Sequence, residues 1–271
     1  MTSEQIQSVQ MALKASGLYN GKVDGISGPM TTSSIREFQR RNHLVDDGIA
    51  GPKTWAALFP ADAPIPKPDP NVAFWSGNAK RMEPGDIERI SNDVGLPVTV
   101  IKAFLMVESA GKPFDEKNRP TALYEPHLAY RFSSGNVRNE LLDAGIAYAK
   151  WGTKPYPKSS DERYQQISLC ASIGGDELAA DSTSWGVPQI CGFNAKASGY
   201  VDGVSMVRAF AADEENQMAA MGAFIMNNSS LYQALKRLDW DHAAELYNGA
   251  AYRKNNYAIK LASAYKQALK G

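Results

Sequence analysis

The sequence predicts a mainly α-helical chain of two domains, and three features carry that expectation. Five prolines between Pro60 and Pro70 divide the chain, a turn is duplicated among helical patterns in the shorter part, and an apolar helix in the longer part ends on a carboxylate.

Proline fixes φ and disfavours helix in the residue before it, so PADAPIPKPDP reads as a stiff, extended connector. The predicted division is a small domain over residues 1–59, a proline-rich linker over 60–76 and a larger domain over 77–271. In the small domain, Asp24-Gly25-Ile26-Ser27-Gly28-Pro29 returns 23 residues later as Asp47-Gly48-Ile49-Ala50-Gly51-Pro52. Glycine admits positive φ, aspartate bonds its own backbone, and proline suits the first turn of the following helix. Apolar positions Val9, Leu13 and Leu18 flank the first turn, Ile35 and Phe38 lie between the two, and Trp55 and Leu58 follow the second. Three short helices joined by two like turns make a small bundle, and ~60 residues suffice for such a bundle to fold alone.

In the larger domain, VTVIKAFLMVESA from Val98 to Ala110 is a helix stopped by Gly111. Its apolar face runs through Ile101, Phe104 and Leu105, and Glu108 continues the same stripe, since positions three and four apart share a face. A carboxylate in the last turn also meets the negative end of the helix dipole. Both effects disfavour ionisation and raise the pKa of Glu108. A glutamic acid that stays protonated near neutral pH is what general-acid cleavage of a glycosidic bond requires. The alternative for such a residue is a helix-end glutamate turned to water.

Two further clusters suit sugar recognition, in which rings cover apolar faces and amides bond hydroxyl and acetamido groups. Ser184-Trp185-Gly186-Val187-Pro188-Gln189-Ile190 reads as a loop or short hairpin, and Tyr247-Asn248-Gly249 ends a helical pattern. The rings and amides of these clusters, Trp185 among them, are candidates for substrate contact; the alternative for each is an ordinary core edge or turn.

Composition narrows the possible activities. The 271 residues are 44% hydrophobic and 21% charged, with 29 basic and 29 acidic side chains. A zero net charge argues against a nucleic-acid partner, which leaves a basic footprint. No apolar run approaches the ~20 residues that span a bilayer, and no secretory signal is visible, so the expectation is a chain made in the cytoplasm with no stable membrane association. Cys170 and Cys191 are expected as free thiols, with a single bridge left open. Zinc catalysis draws on three ligands rich in His or Cys; the large domain holds His127 and His242 in no such spacing, and His43 stands alone in the small one. No metal or cofactor is expected. Neither cysteine lies in a recognisable nucleophile context, which counts against a cysteine peptidase.

With these motifs in hand, residues 5–59 resemble the three-helix peptidoglycan-binding domain, paired DGxxGPxT turns included. The order Glu-Ser-x-Gly, Ser-x-Gly-x-x-Gln-Ile, Tyr-Asn-Gly resembles goose-type lysozymes and lysozyme-like lytic transglycosylases. More closely, FLMVESAGKPF, RPTALYEPHLAYRF, STSWGVPQICGFNAKASGY and YNGAAYRKNNYAIKLASAY resemble the muramidase domain of modular phage endolysins. The resemblance implies a lysozyme-like helical domain with a short β-hairpin, Glu108 as catalytic acid, and Gln189, Tyr247 and Asn248 lining the cleft. It also implies peptidoglycan as partner and hydrolysis of the N-acetylmuramic acid–N-acetylglucosamine link, in a monomer held in the host cytoplasm until the membrane is breached. A Gram-negative host is implied by the N-terminal position of the binding module. Val187-Pro188 departs from the Leu-Met usual in transglycosylases, whose anhydro-forming reaction is the alternative. For the second carboxylate the candidate is Glu125 in LYEPHLAYRF, against an ion pair with Arg131 or Arg119, and Asp181 comes behind it.

Overall fold

The computed structural model describes residues 1, 3–59, 72–83, 85–108, 112–248, 253 and 256–270. In the first module α1 (Ser3–Ala15), α2 (Pro29–Arg41) and α3 (Pro52–Leu58) close on Val9, Leu13, Tyr19, Ile35, Phe38, Ala50 and Trp55. Pro29 and Pro52 open α2 and α3, where a missing N–H costs nothing. Gly25 and Gly48 hold φ of +78° and +75°. Asp24 and Asp47 each accept the N–H two residues on, at 3.0 and 2.9 Å.

Each turn is clasped by a buried glutamine. Gln10 Nε2 donates to Asp24 Oδ1 (2.7 Å), Ile26 O (3.0 Å) and Thr31 Oγ1 (3.1 Å), and its Oε1 accepts from Gly25 N (2.9 Å). Gln39 repeats the pattern with Asp47 Oδ1 (2.7 Å), Ile49 O (2.9 Å), Thr54 Oγ1 (3.0 Å) and Gly48 N (2.8 Å). The duplication is thus one of side-chain scaffolding as well as of turn sequence.

The two turns meet different surroundings. Ile26 packs against the core of the larger domain, whereas Ile49 is exposed. Thr32 Oγ1 donates to Gly199 O at 2.7 Å. A side chain at Gly199 (φ +88°) would lie 2.9–3.0 Å from Pro29, so the approach of the two domains there requires glycine. The linker is expected over 60–76. Residues 60–71 lie outside the described residues, but Phe74 is fully buried in the larger domain, its ring 5.9 Å from that of Trp185.

The larger domain holds α4 (Asp86–Val94), α5 (Val98–Glu108), β1 (Ala122–Tyr124), α6 (Pro126–Phe132), α7 (Gly135–Asp143), α8 (Ser160–Gly174), α9 (Asp176–Asp181), β2 (Thr183–Trp185), β3 (Ile190–Cys191), α10 (Gly203–Ala212), α11 (Glu214–Asn227), α12 (Ser229–Lys236), α13 (Trp240–Asn248) and α14 (Tyr257–Ala268). It has two cores. One gathers the sheet with α6–α10; the other gathers α4, α5 and α12–α14. Helix α11 is the wall between them, with Ala220 in the first and Met218, Met221 and Ile225 in the second. Among the described residues no single helix is long and apolar enough to cross a membrane.

The sheet is antiparallel in the order β1-β2-β3, pairing Ala122 with Trp185, Tyr124 with Thr183 and Ser184 with Cys191. The expected hairpin is β2–β3; β1 is an addition, too short at three residues for its alternation to stand out in the sequence. Successive strand residues face opposite ways. Ala122, Tyr124, Thr183, Trp185 and Ile190 accordingly enter the first core, and Leu123, Ser184 and Cys191 line the other face. Both cysteines are free thiols.

The glutamine clasp has a measurable consequence. Gln39→Leu strands the Gly48 N–H and three acceptors, and should lower the stability of the first module by about 1–3 kcal/mol. Denaturant unfolding of the full chain reads this as a lower midpoint for that module, and an unchanged midpoint would show that water replaces the amide.

Candidate active site

Glu108 is the last residue of α5; its side chain lies outside the described residues. One turn earlier in α5, Phe104 is fully buried. The Phe104 ring stands 5.2 Å from that of Tyr247, which also packs edge-on against Phe224 at 5.9 Å and stacks on Tyr257 at 6.1 Å. Tyr247 OH donates to Pro188 O at 3.3 Å. The C-terminal turn of α5, the end of α13 and the loop between β2 and β3 therefore meet at one place. Asn248 closes α13, and its side chain lies outside the described residues.

The loop Gly186–Gln189 passes from one core to the other, with Trp185 in the first and Val187 in the second. Its shape demands two left-handed residues, Gly186 at φ +67° and Gln189 at φ +48°. The Gln189 amide donates back to Gly186 O at 2.7 Å, stabilising the turn from within. A fully buried amide, Gln217, secures it from outside. Its Oε1 accepts from Val187 N (2.8 Å), and its Nε2 donates to Pro113 O (3.2 Å) and Phe210 O (3.1 Å). A Cβ at Gly186 would come within 2.7 Å of that Oε1. Gly186 N also donates to Thr121 O at 2.7 Å, which joins the loop to the start of β1.

Trp185, expected to bind substrate, is a core residue. It is fully buried, and its indole N–H donates to Ala180 O at 2.9 Å. The two-residue alternation of β2 turns it away from the face that Ser184 shares with Leu123 and Cys191.

Glu125 follows β1 and closes its pairing, donating its N–H to Ser182 O at 2.8 Å. The three residues of β1 separate it from Thr121, roughly 13 Å of rise over four steps. Its carboxylate is largely buried, accepts the Tyr156 hydroxyl at 2.5 Å and lies 3.3 Å from His127 Nδ1. The ion pair with Arg119 or Arg131 is not what holds it. Arg119 Nη2 lies 2.7 Å from both Asp115 and Asp161, and Arg131 lies over the Phe132 ring. Burial raises the Glu125 pKa and the Tyr156 hydroxyl opposes the rise. Burial, helped by Arg131, lowers that of His127, which favours the neutral imidazole. Tyr156 escaped the sequence reading because it lies 31 residues further on in a stretch of turns, with no periodicity to connect it to Glu125. Among the described residues no three of His, Cys, Asp and Glu are grouped to hold a metal ion.

This geometry has known relatives. The family model for N-acetylmuramidase matches residues 97–269. The chain belongs to the N-acetylmuramidase family. A second model, the peptidoglycan binding domain, matches residues 2–58. Among solved structures, the Burkholderia AP3 phage endolysin is similar over 98% of this chain and 96% of that one, with 31% identity and a TM-score of 0.60. A spore cortex-lytic enzyme of Bacillus cereus is 42% identical over 60 residues, 22% of this chain and 23% of its own. The N-acetylmuramoyl-L-alanine amidase CwlM of Mycobacterium tuberculosis is 36% identical over 56 residues, 21% of this chain and 14% of its own. The chain thus spans at most about half the length of the curated relatives it matches.

Within the muramidase domain Asp181 has a structural setting of its own. It ends α9 beside the first turn of α10, where Glu177 accepts from Gly203 N at 2.8 Å and Asp202 caps Ser205 N at 2.7 Å. Burial, then the charges of Glu177 and Asp202, push its pKa up to about 6. An unfolded aspartate titrates near ~3.9, so the native state binds the extra proton between those values. The resulting stabilisation is complete below about pH 4 and is lost as pH rises through about 6. Thermal unfolding from pH 4 to 7 should therefore show a smaller fall in stability for Asp181→Asn than for the wild type; parallel curves would place the Asp181 pKa at its ordinary value.

Proposed function

We propose that the chain hydrolyses the β-1,4 bond between N-acetylmuramic acid and N-acetylglucosamine in bacterial peptidoglycan, with Glu108 as general acid. The observation that carries the reading is the meeting of the α5 C-terminal turn with the Gly186–Gln189 loop and Tyr247 in a chain of the N-acetylmuramidase family. A glutamic acid at the carbonyl end of an apolar helix keeps its proton to neutral pH. It gives that proton to the oxygen between the two sugars, so the leaving sugar departs as an alcohol rather than an alkoxide. Positive charge develops at the ring carbon, and a carboxylate stabilises it or takes a proton from the attacking water. Glu125 is our candidate for that second group: it lies in the LYEPH segment at the end of β1, partly desolvated, with its orientation set by Tyr156. Gln189, Tyr247 and Asn248 contact the sugars. The residues supply both proton transfers, and the reaction calls for no metal or cofactor.

The first module binds the same polymer and raises the local concentration of the enzyme at the wall. The likeness to the Burkholderia AP3 phage endolysin extends the reading to host lysis by a phage, with the monomeric enzyme meeting the wall after the membrane is breached.

Glu108→Gln keeps the shape of the side chain but donates no mobile proton, and lysis of purified sacculi should fall ~10²–10⁴-fold with the circular dichroism spectrum unchanged. Full activity in a folded variant removes Glu108 from the mechanism. Digestion of sacculi in ¹⁸O-water should place the label on reducing N-acetylmuramic acid ends. Unlabelled anhydro ends, one water lighter, would assign the alternative transglycosylase chemistry, and cleavage confined to amide bonds would overturn the reading. Residues 1–59, produced alone, should sediment with sacculi without cutting them, whereas a module left in the supernatant has no part in wall binding.

A further inference from the structure

We propose that Trp151 is a stacking platform for a pyranose ring of the glycan strand, in a subsite beside Glu125. The inference rests on the glycan-cleaving function proposed above and adds to it a residue outside the motifs that suggested that function.

A single exposed apolar side chain needs no explanation. Trp151 differs because it is both 69% exposed and tied to the candidate site. Its indole Nε1–H donates to Tyr156 OH at 3.0 Å, and the same hydroxyl donates to Glu125 Oε2 at 2.5 Å. The phenol uses one lone pair and its proton, so both bonds are satisfied at once. The ring is therefore oriented by a hydrogen bond at its edge, which leaves its faces to water and a partner. A rigid aromatic with a polar handle loses little conformational entropy when something settles on it.

The loop that carries Trp151 is built to hold still. Gly152 takes φ +74°, Thr153 Oγ1 donates to Lys150 O at 2.6 Å, and the Lys154 ammonium lies 5.0 Å above the Tyr148 ring. Pro155 and Pro157 restrict the backbone on either side of Tyr156. Tyr156, next to which Trp151 stands, also lines an open cavity of about 660 Å³ with Ile146, Lys158, Glu162, Gln165 and Gln166, a mixture of apolar, charged and amide groups. Rings with a few convergent amides match a sugar, which offers a face of C–H bonds and a rim of hydroxyl and acetamido groups. A protein partner would call for a broader apolar surface than this one ring.

The test uses the full chain with Trp151→Ala and Trp151→Phe. Phenylalanine keeps a stacking face and removes the N–H. On purified sacculi, Trp151→Ala should raise the half-saturating substrate concentration about tenfold with kcat changed less than about threefold, and Trp151→Phe should recover most of the loss. Addition of a soluble β-1,4-linked N-acetylglucosamine oligosaccharide should change tryptophan fluorescence in Glu108→Gln, and the change should vanish in Glu108→Gln/Trp151→Phe. An unaltered half-saturation in Trp151→Ala overturns the platform. Equal losses in Ala and Phe overturn it too, because they assign the effect to the N–H bond, and so does a loss confined to variants with a lowered Tm. Wild-type protein that cuts no glycan sinks the underlying function instead, which separates that failure from this one.

Discussion

The meeting of the β2–β3 loop with the segment beyond α5 depends on the buried amide of Gln217. Its three bonds join backbone groups from three parts of the chain: Val187 in the β2–β3 loop, Pro113 just beyond α5, and Phe210 in α10. No ladder of secondary structure connects these segments, and each would otherwise carry a buried polar group without a partner. Leaving one such group unsatisfied costs about 1–3 kcal/mol, so the amide sets how the loop and the exit of α5 lie relative to each other. Phe104 and Tyr247 then complete the arrangement by packing, and Tyr247 adds its own bond to Pro188. A polar centre between two apolar cores thus holds the residues proposed as the site.

The carboxylates of the domain are separated by environment. Asp115 has its pKa lowered by Arg119 and Ser160 against the opposing effect of burial. Glu125 and Asp181 have theirs raised by burial, the one beside a tyrosine hydroxyl and the other beside two further acids. Burial and neighbouring groups thus push the carboxyl pKa values within one domain apart. The sheet contributes through its alternation. One face fills the core, and the other is left to Leu123, Ser184 and Cys191.

The first module shows how a duplicated turn acquires two roles. Gln10 and Gln39 share four bonds to their respective turns, and Gln10 adds the Asp24 N–H and the Tyr19 hydroxyl. The copies differ in what lies outside them: Ile26 is taken into the neighbouring domain's core and Ile49 remains in water. The Thr32–Gly199 bond and the Pro29 contact at Gly199 make the first copy part of a domain interface, which adds a docked contact to the tether expected from the prolines. The second copy keeps its outer surface.

Much of this protein was legible in its sequence because the signals are local. Proline at the openings of α2 and α3, glycine at positive φ in the turns, and the stripe Ile101–Phe104–Leu105 each follow from the backbone preferences or spacing of near neighbours. The ordered motifs around Glu108, Gln189 and Tyr247 led to the family for the same reason. What escaped depends on residues distant in the chain. Trp185 looks like a sugar-binding ring in its heptapeptide, yet pairing with Ala122, 63 residues earlier, turns it into the core. Tyr156 on Glu125, Gln217 on Val187 and Phe74 on Trp185 are likewise contacts that no periodicity announces. The sequence by itself determined the helices, the duplicated turns and the family. Only the tertiary structure decided which face of each strand is buried and which polar groups meet, because burial and hydrogen-bond satisfaction belong to the packed chain and to no segment of it.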